Sequence, residues 1–393
     1  MLQSVLLAAT LCCLPAPQQA GTADPVQAKI AEQERRHQED IKNDVESGRK
    51  YAEQVEKELK LLEDKAALER VQRIGAQLSE IANKNALKVS WGDKRLNTFP
   101  YTFKVVQGDD VNAFSLPGGY IYIYEGLLKF AESDDELAGV LGHEICHAAF
   151  RHLATLQREQ NKLQVAQIPL ILAAILSGGR IGPEILQLSN LVGTALNSGW
   201  SVKAEQAADF GGFQLMRASS YNPVGMLTFM ERLAKRDRMI EGAFDWGIYR
   251  THPPGRERAD ALIARLKEAN IVIRRSQVST TFRVTSKPNA EATIDILFEG
   301  RSLARLGGAS AQERADAAVL KLNEFLDSVP AVFEVQSSGN RVLGGRQWLF
   351  SIEPQDALAQ GRTEADLMTE AIQAIRRAVY NVNYRVWDSR PTK

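Results

Sequence analysis

The 393-residue chain has only three cysteines and no excess of either charge, with 48 Lys and Arg against 48 Asp and Glu. Two of the cysteines, Cys12 and Cys13, lie in the first apolar stretch, which leaves Cys146 alone in the body of the chain. A single thiol forms no internal disulfide, so the fold must be held by core packing. The zero net charge excludes the basic footprint of an electrostatic nucleic-acid binder, and no basic run interleaved with aromatics reverses that. Long apolar runs are also lacking. The closest, residues 163–176, is short for a spanning helix and is interrupted by Gln164 and Gln167. There is no phosphate loop, no low-complexity tract and no visible internal repeat, and Gly118-Gly119 and Gly307-Gly308 read as turns.

What is present is enough for two domains, each with its own core. Apolar residues make up 44% and charged residues 24%, as in a globular protein. Residues 1–23 read as a secretory signal: an uncharged apolar run over 5–14, then small and polar residues with cleavage near Ala20 or Ala23. No Lys or Arg precedes the run. The expectation is an exported, periplasmic protein. The alternative is a lipid anchor on Cys12 or Cys13, which Leu11 and Cys12 fit poorly as the small residue before a modified cysteine.

Residues 28–83 read as helical, with breaks at Gly48 and at Glu63-Asp64. YTFKVV, residues 101–106, is a strand pattern, and QGDDVNAFSLPGG, residues 107–119, carries turn chemistry. GYIYIY follows, with Tyr120, Tyr122 and Tyr124 on one strand face. Ser133 and Glu136 form a capping box that starts a helix. Two uncharged helices are expected over 165–176 and 183–196, a further one over 202–218, and another after the Pro-broken loop THPPGRER at 251–258. Beyond about Ser276, strands and helices alternate, with helices over 311–326 and 363–379, which reads as a separate α/β domain. The division is then a signal over 1–23, a first domain over 24–272 and a C-terminal domain over 277–393. In the latter, IEPQDALAQGRTEADL is faintly similar to accessory domains near bacterial membrane channels.

The chemistry concentrates in LAGVLGHEICHAAFRH, residues 137–152, which holds three of the five histidines. On a helix, residues four apart lie about 40° apart around the axis, so His143 and His147 project from one face as two ligands for one zinc ion. Glu144 lies about 100° from His143, beside the ligands, where it can take a proton from the attacking water. HExxH on a helix is thus a mechanism written as spacing. A catalytic zinc site needs a third protein ligand. KAEQAADFGG, residues 203–212, is the strongest downstream candidate: Glu205 and Asp209 share a face, and Ala204, Ala207 and Ala208 allow close packing. Glu205 could ligate, and Asp209 could accept from the outer nitrogen of a ligand histidine. By spacing alone, an ordinary charged helix face fits equally well.

The chain resembles the M48 family of zinc metallopeptidases, the group of periplasmic, Ste24-like and HtpX-like proteases. The residues that carry the resemblance are GRKYAEQVEKELKLL at 48–62, NAFSLPGGYIYIYEGLL at 112–128, GHEICHAAFRH at 142–152, AEQAAD at 204–209 and THPPGRER at 251–258. The resemblance covers roughly residues 45–270. It implies an α+β fold: a mostly helical zincin-like (gluzincin) metallopeptidase domain with a small sheet, followed by the smaller α/β C-terminal domain. It implies one Zn2+ per chain on His143, His147 and Glu205, with Glu144 as general base and Asp209 as the neighbour that orients a ligand histidine. His252 would steady the tetrahedral intermediate or hold the enzyme latent as an extra ligand, and Arg258 would support it. The expected activity is zinc-dependent endopeptidase action in the bacterial cell envelope on unfolded or misassembled proteins. The alternative is a largely latent zinc-bound chaperone working through the C-terminal domain. Polypeptide substrates would lie extended along an edge strand within 112–124. No nucleic-acid partner is expected, and an envelope protein would dock through 277–393. Cys146 departs from the family's small residue and reads as a packed core group. His152 and His37 read as structural or solvated.

Overall fold

The structure is a computed structural model that describes residues 25–161, 199–239, 256–289 and 292–382. The signal reading over 1–23, the uncharged helices over 165–176 and 183–196, and His252 lie outside the described residues.

Helix α1 (Pro25–Glu58) runs unbroken through Gly48. That glycine was expected to interrupt the helix. It instead marks a crossing, because a Cβ there would sit 1.8 Å from the Pro117 carbonyl oxygen. The break at Glu63-Asp64 is present, and Asp64 caps α2 (Lys65–Lys84) by accepting from the Ala67 N–H at 3.1 Å. Strands β1 (Thr102–Val106), β2 (Ala113–Leu116) and β3 (Tyr120–Tyr124) form a sheet in the order β1-β3-β2. β1 is parallel to β3 and β2 antiparallel to it. β2 emerges from a stretch read as turn, since only four residues separate its Asp-Asn and Pro-Gly flanks. Of the span expected to offer an edge to substrate, β2 is at an edge, whereas β3 is central and pairs on both sides. The tyrosine face of β3 is covered at Tyr122 and Tyr124 and half-buried at Tyr120. Tyr122 and Tyr124 join Ala52 and Val55 of α1 in a small core, and the Tyr122 hydroxyl donates to Glu56 at 2.7 Å.

The chain continues through α3 (Glu125–Phe130), α4 (Asp134–Ala149), α5 (His152–Asn161), α6 (Gly199–Ala218), α7 (Val224–Met239) and α8 (Arg256–Glu268). Ser133 starts α4 as its sequence predicts, accepting from the Glu136 N–H at 3.2 Å, while the Glu136 carboxylate reaches back to the Glu132 N–H at 2.9 Å. Nearly every residue of α4 is buried, because α2, α6, α7 and β2 surround it. A helix that is apolar on all sides belongs at the centre of a core, and Leu137, Leu141 and Ile145 are fully buried there.

A short helix, α9 (Arg275–Val278), leads into a second unit with its own hydrophobic cluster. This unit comprises β4 (Val284–Pro288), β5 (Ile294–Phe298), β6 (Arg301–Leu306), α10 (Ala311–Asp327), β7 (Val335–Ser338), β8 (Arg341–Gly344), β9 (Gln347–Ser351), α11 (Pro354–Gln360) and α12 (Glu364–Tyr380). All its strand pairs are antiparallel, so it is α+β and not the α/β domain that alternation suggested. It also contains a repeat invisible in sequence. Two three-stranded meanders are each followed by a 17-residue helix. Each meander slips register between its second and third strands, at Ile296/Leu297 and at Val342/Leu343. The described residues as a whole are mostly helical with small sheets, an α+β protein.

Polar contacts tie the two units together. Asp327 of α10 accepts from the Ser276 N–H at 3.0 Å and its hydroxyl at 2.6 Å. Glu132 accepts from Ser279 at 2.5 Å and from Thr281, and Lys235 of α7 pairs with Glu299.

Candidate metal centre

His143 and His147 sit one turn apart on α4 and meet Glu205 from α6. The two Nε2 atoms are 2.9 Å apart. His143 Nε2 lies 3.3 Å from Glu205 Oε2, and His147 Nε2 lies 3.3 Å from Glu205 Oε1. Donor atoms about 2.1 Å from a tetrahedral zinc lie about 3.4 Å from one another. The observed triangle has nearly that size, and among the described residues this is the group of His, Cys, Asp and Glu that converges closely enough to hold a metal ion. The close approach of α6 is what brings Glu205 there. At Gly212 a Cβ would lie 3.1 Å from the His143 backbone nitrogen and 3.2 Å from the Gly142 carbonyl carbon. Ala204, Ala207 and Ala208 are buried in the same interface.

Asp209, one turn beyond Glu205, is buried and accepts from His143 Nδ1 at 2.9 Å. Arg258 of α8 clamps that carboxylate with two hydrogen bonds, Nε to Oδ2 at 2.7 Å and Nη2 to Oδ1 at 2.8 Å. Its third nitrogen, Nη1, lies 3.1 Å from Glu205 Oε2. Such a bidentate fork fixes orientation as well as charge. The expected link of Arg258 to His252 involves a residue outside the described ones; among the described residues Arg258 meets Asp209 and Glu205. Glu144 is fully buried on α4, in the turn between the two ligand histidines.

The electrostatics suit a cation. Burial opposes a charged imidazole at His143, but hydrogen bonds to Asp209 and Glu205, together with their charges, outweigh it and raise the pKa to about 10. Burial pushes Asp209 the other way, and Arg258 and then His143 bring it down to about 2. These shifts agree: two buried carboxylates pull a positive charge to the point where the Nε2 atoms converge. A divalent cation held by His143, His147 and Glu205 would supply that charge in place of a proton.

Cys146 packs against α6. A Cβ at Gly211 would lie 2.5 Å from its sulfur, and burial raises its pKa well above the ordinary thiol value, so it remains a neutral core group. His37 is buried and bonds Asn97 Oδ1 at 2.8 Å, while Asn97 donates to the Ala149 carbonyl at 2.8 Å, which ties α1 to the end of α4. His152 reads from sequence as structural or solvated, and the fold sets it beside a ligand histidine. It is buried, and its Nδ1 lies 3.0 Å from His147 Nδ1. Its position five residues after His147, just past the end of α4, was the one available signal.

Comparison with known proteins places these residues in a wider group. The profile of Peptidase family M48 matches residues 71–266, and residues 295–382 match a Domain of unknown function (DUF8459). The Metalloprotease LoiP of Escherichia coli (strain K12) is 30% identical over 217 residues, which cover 54% of this chain and 82% of that protein. The Beta-barrel assembly-enhancing protease of Yersinia pestis is 27% identical over 205 residues, 51% of this chain and 39% of its own length. The Mitochondrial metalloendopeptidase OMA1 of Arabidopsis thaliana is 30% identical over 203 residues, again 51% of this chain and 39% of that protein. The chain therefore spans less than half the length of the latter two relatives.

Proposed function

The chain belongs to peptidase family M48, and from that premise we propose that it is a zinc-dependent endopeptidase of the bacterial cell envelope that cuts unfolded or misassembled polypeptides. The observation that carries the reading is the convergence of His143, His147 and Glu205 around one point, with Glu144 in the turn between the histidines. When bound, zinc supplies a Lewis acid that polarises the scissile carbonyl and lowers the pKa of water to about 7.

The chain's own residues do the rest. Glu144 takes a proton from the attacking water and hands it to the leaving amine. Asp209 accepts from His143 Nδ1, which leaves the Nε2 lone pair free for the metal. Arg258 keeps Asp209 ionised and in place. His252 steadies the oxyanion of the intermediate. The substrate lies extended along β2, the outer strand of the sheet among the described residues, which packs against α4, so its backbone pairs as an added strand. An extended substrate selects unfolded or exposed segments over folded proteins. A buried HExxH helix against a small mixed sheet supports the zincin-like, gluzincin assignment.

The signal reading over 1–23 supports export to the periplasm, and no described helix is long and apolar enough to cross a membrane. The relatives named beta-barrel assembly-enhancing protease support an envelope role. The duplicated C-terminal unit is the proposed dock for an envelope protein.

The test is cleavage of an unfolded protein such as casein, with and without a chelator. Wild type is expected to cut and to stop on chelation. Glu144→Gln should bind zinc as before and lose cleavage by at least about 10²-fold. Full activity in Glu144→Gln removes the general-base assignment, and zinc binding without any cleavage by wild type supports the latent binding module instead.

A further inference from the structure

Each ligand histidine has an outer ring nitrogen, and the two are held by different chemistry. His143 Nδ1 meets the carboxylate of Asp209. His147 Nδ1 meets another imidazole, His152 Nδ1, at 3.0 Å. The opposite nitrogen of His152, Nε2, lies 3.1 Å from the Trp91 carbonyl oxygen. A carbonyl only accepts, so His152 Nε2 carries the hydrogen and, in the neutral ring, Nδ1 is left with its lone pair. His147 Nδ1 must then be the donor, and its Nε2 is stripped of hydrogen and aimed at Glu205 and His143. We propose that His152 is a positioning residue for the metal, a neutral relay that fixes the tautomer and ring plane of His147 through the backbone carbonyl of Trp91. This inference rests on the metal reading above and deepens it.

The surroundings hold His152 in place. It is buried, packs at a 43° tilt against Trp91 with 5.2 Å between ring centroids, and lies 4.9 Å from the His147 ring at 82°. The chain reaches it through Arg151, whose φ of 50° is left-handed and rare for a side chain of that size. Arg151 is kept there by Asp44 (2.5 and 3.1 Å), Asp40 (3.2 Å) and Asp93 (3.1 Å). That turn ends α4 and brings the next residue back beneath His147. On the far side, Gly92 has φ of 110°, and a Cβ there would lie 2.9 Å from His152 Cδ2 and 2.5 Å from the Phe150 carbonyl oxygen. Only glycine lets the Trp91 carbonyl come close enough. Asp40 and Asp44 belong to α1, so the N-terminal helix braces the relay and, through it, the second ligand.

Two measurements on the full chain test this. In the first, zinc affinity is read by competition with a chromophoric chelator, and the visible spectrum is read after cobalt substitution. His152→Phe keeps the ring against Trp91 and removes both bonds, and is expected to raise the zinc Kd by about 10- to 100-fold and to change the cobalt spectrum. His152→Gln offers an acceptor and a donor at similar reach and should recover part of the loss. An affinity within twofold of wild type and an unchanged cobalt spectrum in folded His152→Phe overturn the relay alone. Wild type that binds no zinc overturns both the relay and the peptidase reading. The second measurement needs no variant. In 15N-histidine spectra of the zinc-loaded wild type, with five histidines to assign, His152 should carry its hydrogen on Nε2 and His147 on Nδ1. A His152 with its hydrogen on Nδ1 contradicts the proposal even if every variant misfolds.

Discussion

In the peptidase unit, α4 and α6 bury His143, Glu144, Glu205 and Asp209 together with their leucines and alanines. In the C-terminal unit, α10 and α12 bury Ala315, Leu322, Phe325, Ala371 and Ile375, and Asp356 is its one fully buried carboxylate among the described residues. That aspartate serves the architecture, since it accepts from the Gly307 N–H at 2.7 Å and pairs with Arg314 at 2.6 Å. Burying a charge is strongly unfavourable unless it is paired. The peptidase unit buries several ionisable groups around the point where its histidines converge, and the C-terminal unit does not. The duplicated meander-and-helix unit thus has an almost wholly apolar interior among the described residues, while the peptidase unit buries a cluster of ionisable groups.

That contrast can be broken from either side. The largest stability effect should come from the C-terminal core. Phe325 is buried against Gly344, where a Cβ would lie 2.6 Å from its ring. Phe325→Ala should destabilise this unit by about 3–5 kcal/mol, seen in calorimetry, yet leave zinc affinity unchanged. Loss of zinc in that variant would show that the units do not divide the labour as described.

A middle-sized effect belongs to the orientation of the first ligand. Asp209→Asn keeps the shape but weakens the clamp on His143. The zinc Kd should rise by about 10- to 100-fold, with little change in the melting of the C-terminal unit. An unchanged Kd would mean that the buried carboxylate serves packing alone.

The smallest effect is on acid stability, and it separates the units by pH. Burial raises the pKa of Asp93, but Arg95 and then Arg151 outweigh it and hold the group well below the ordinary carboxylate range; Asp40 is lowered in the same way by Arg95 and Arg151. A depressed folded pKa contributes stability that is complete above the unfolded value near about 4 and is lost as pH falls through the folded value. Amide protection in α1 should therefore fade below about pH 4 before that of α10 and α12. Simultaneous loss in both units would contradict this.

The parts of this site legible in sequence are those written in spacing. His143, Glu144 and His147 follow from one helical turn, and Ser133 announces where that helix begins. Glu205 and Asp209 are legible as a pair by spacing, and as ligand and orienting neighbour by the family resemblance, but which histidine Asp209 meets is not, because only the fold brings α6 beside α4 and sets Asp209 on His143. His152 reads in sequence only as structural or solvated because one of its partners is the backbone carbonyl of Trp91, 61 residues away, and a carbonyl leaves no mark on sequence. Gly48 was misread for a related reason: the glycine serves a crossing with Pro117, not a bend in its own helix. Strands β2, β6 and β8 are four to six residues long, too short for alternation to stand out from the turns around them. The duplication was hidden because equivalent positions carry different residues, as where Phe298 and Gly344 pair with Val284 and Val335.

The central claim is that His143, His147 and Glu205 grip one metal ion. Metal analysis of the purified full chain, stripped and reloaded with zinc, tests it most directly when wild type is set beside Glu205→Ala and His147→Ala. The account predicts about one tightly held zinc per chain in wild type and its loss in both variants, with the fold retained. Equal zinc content and affinity in all three proteins would contradict it.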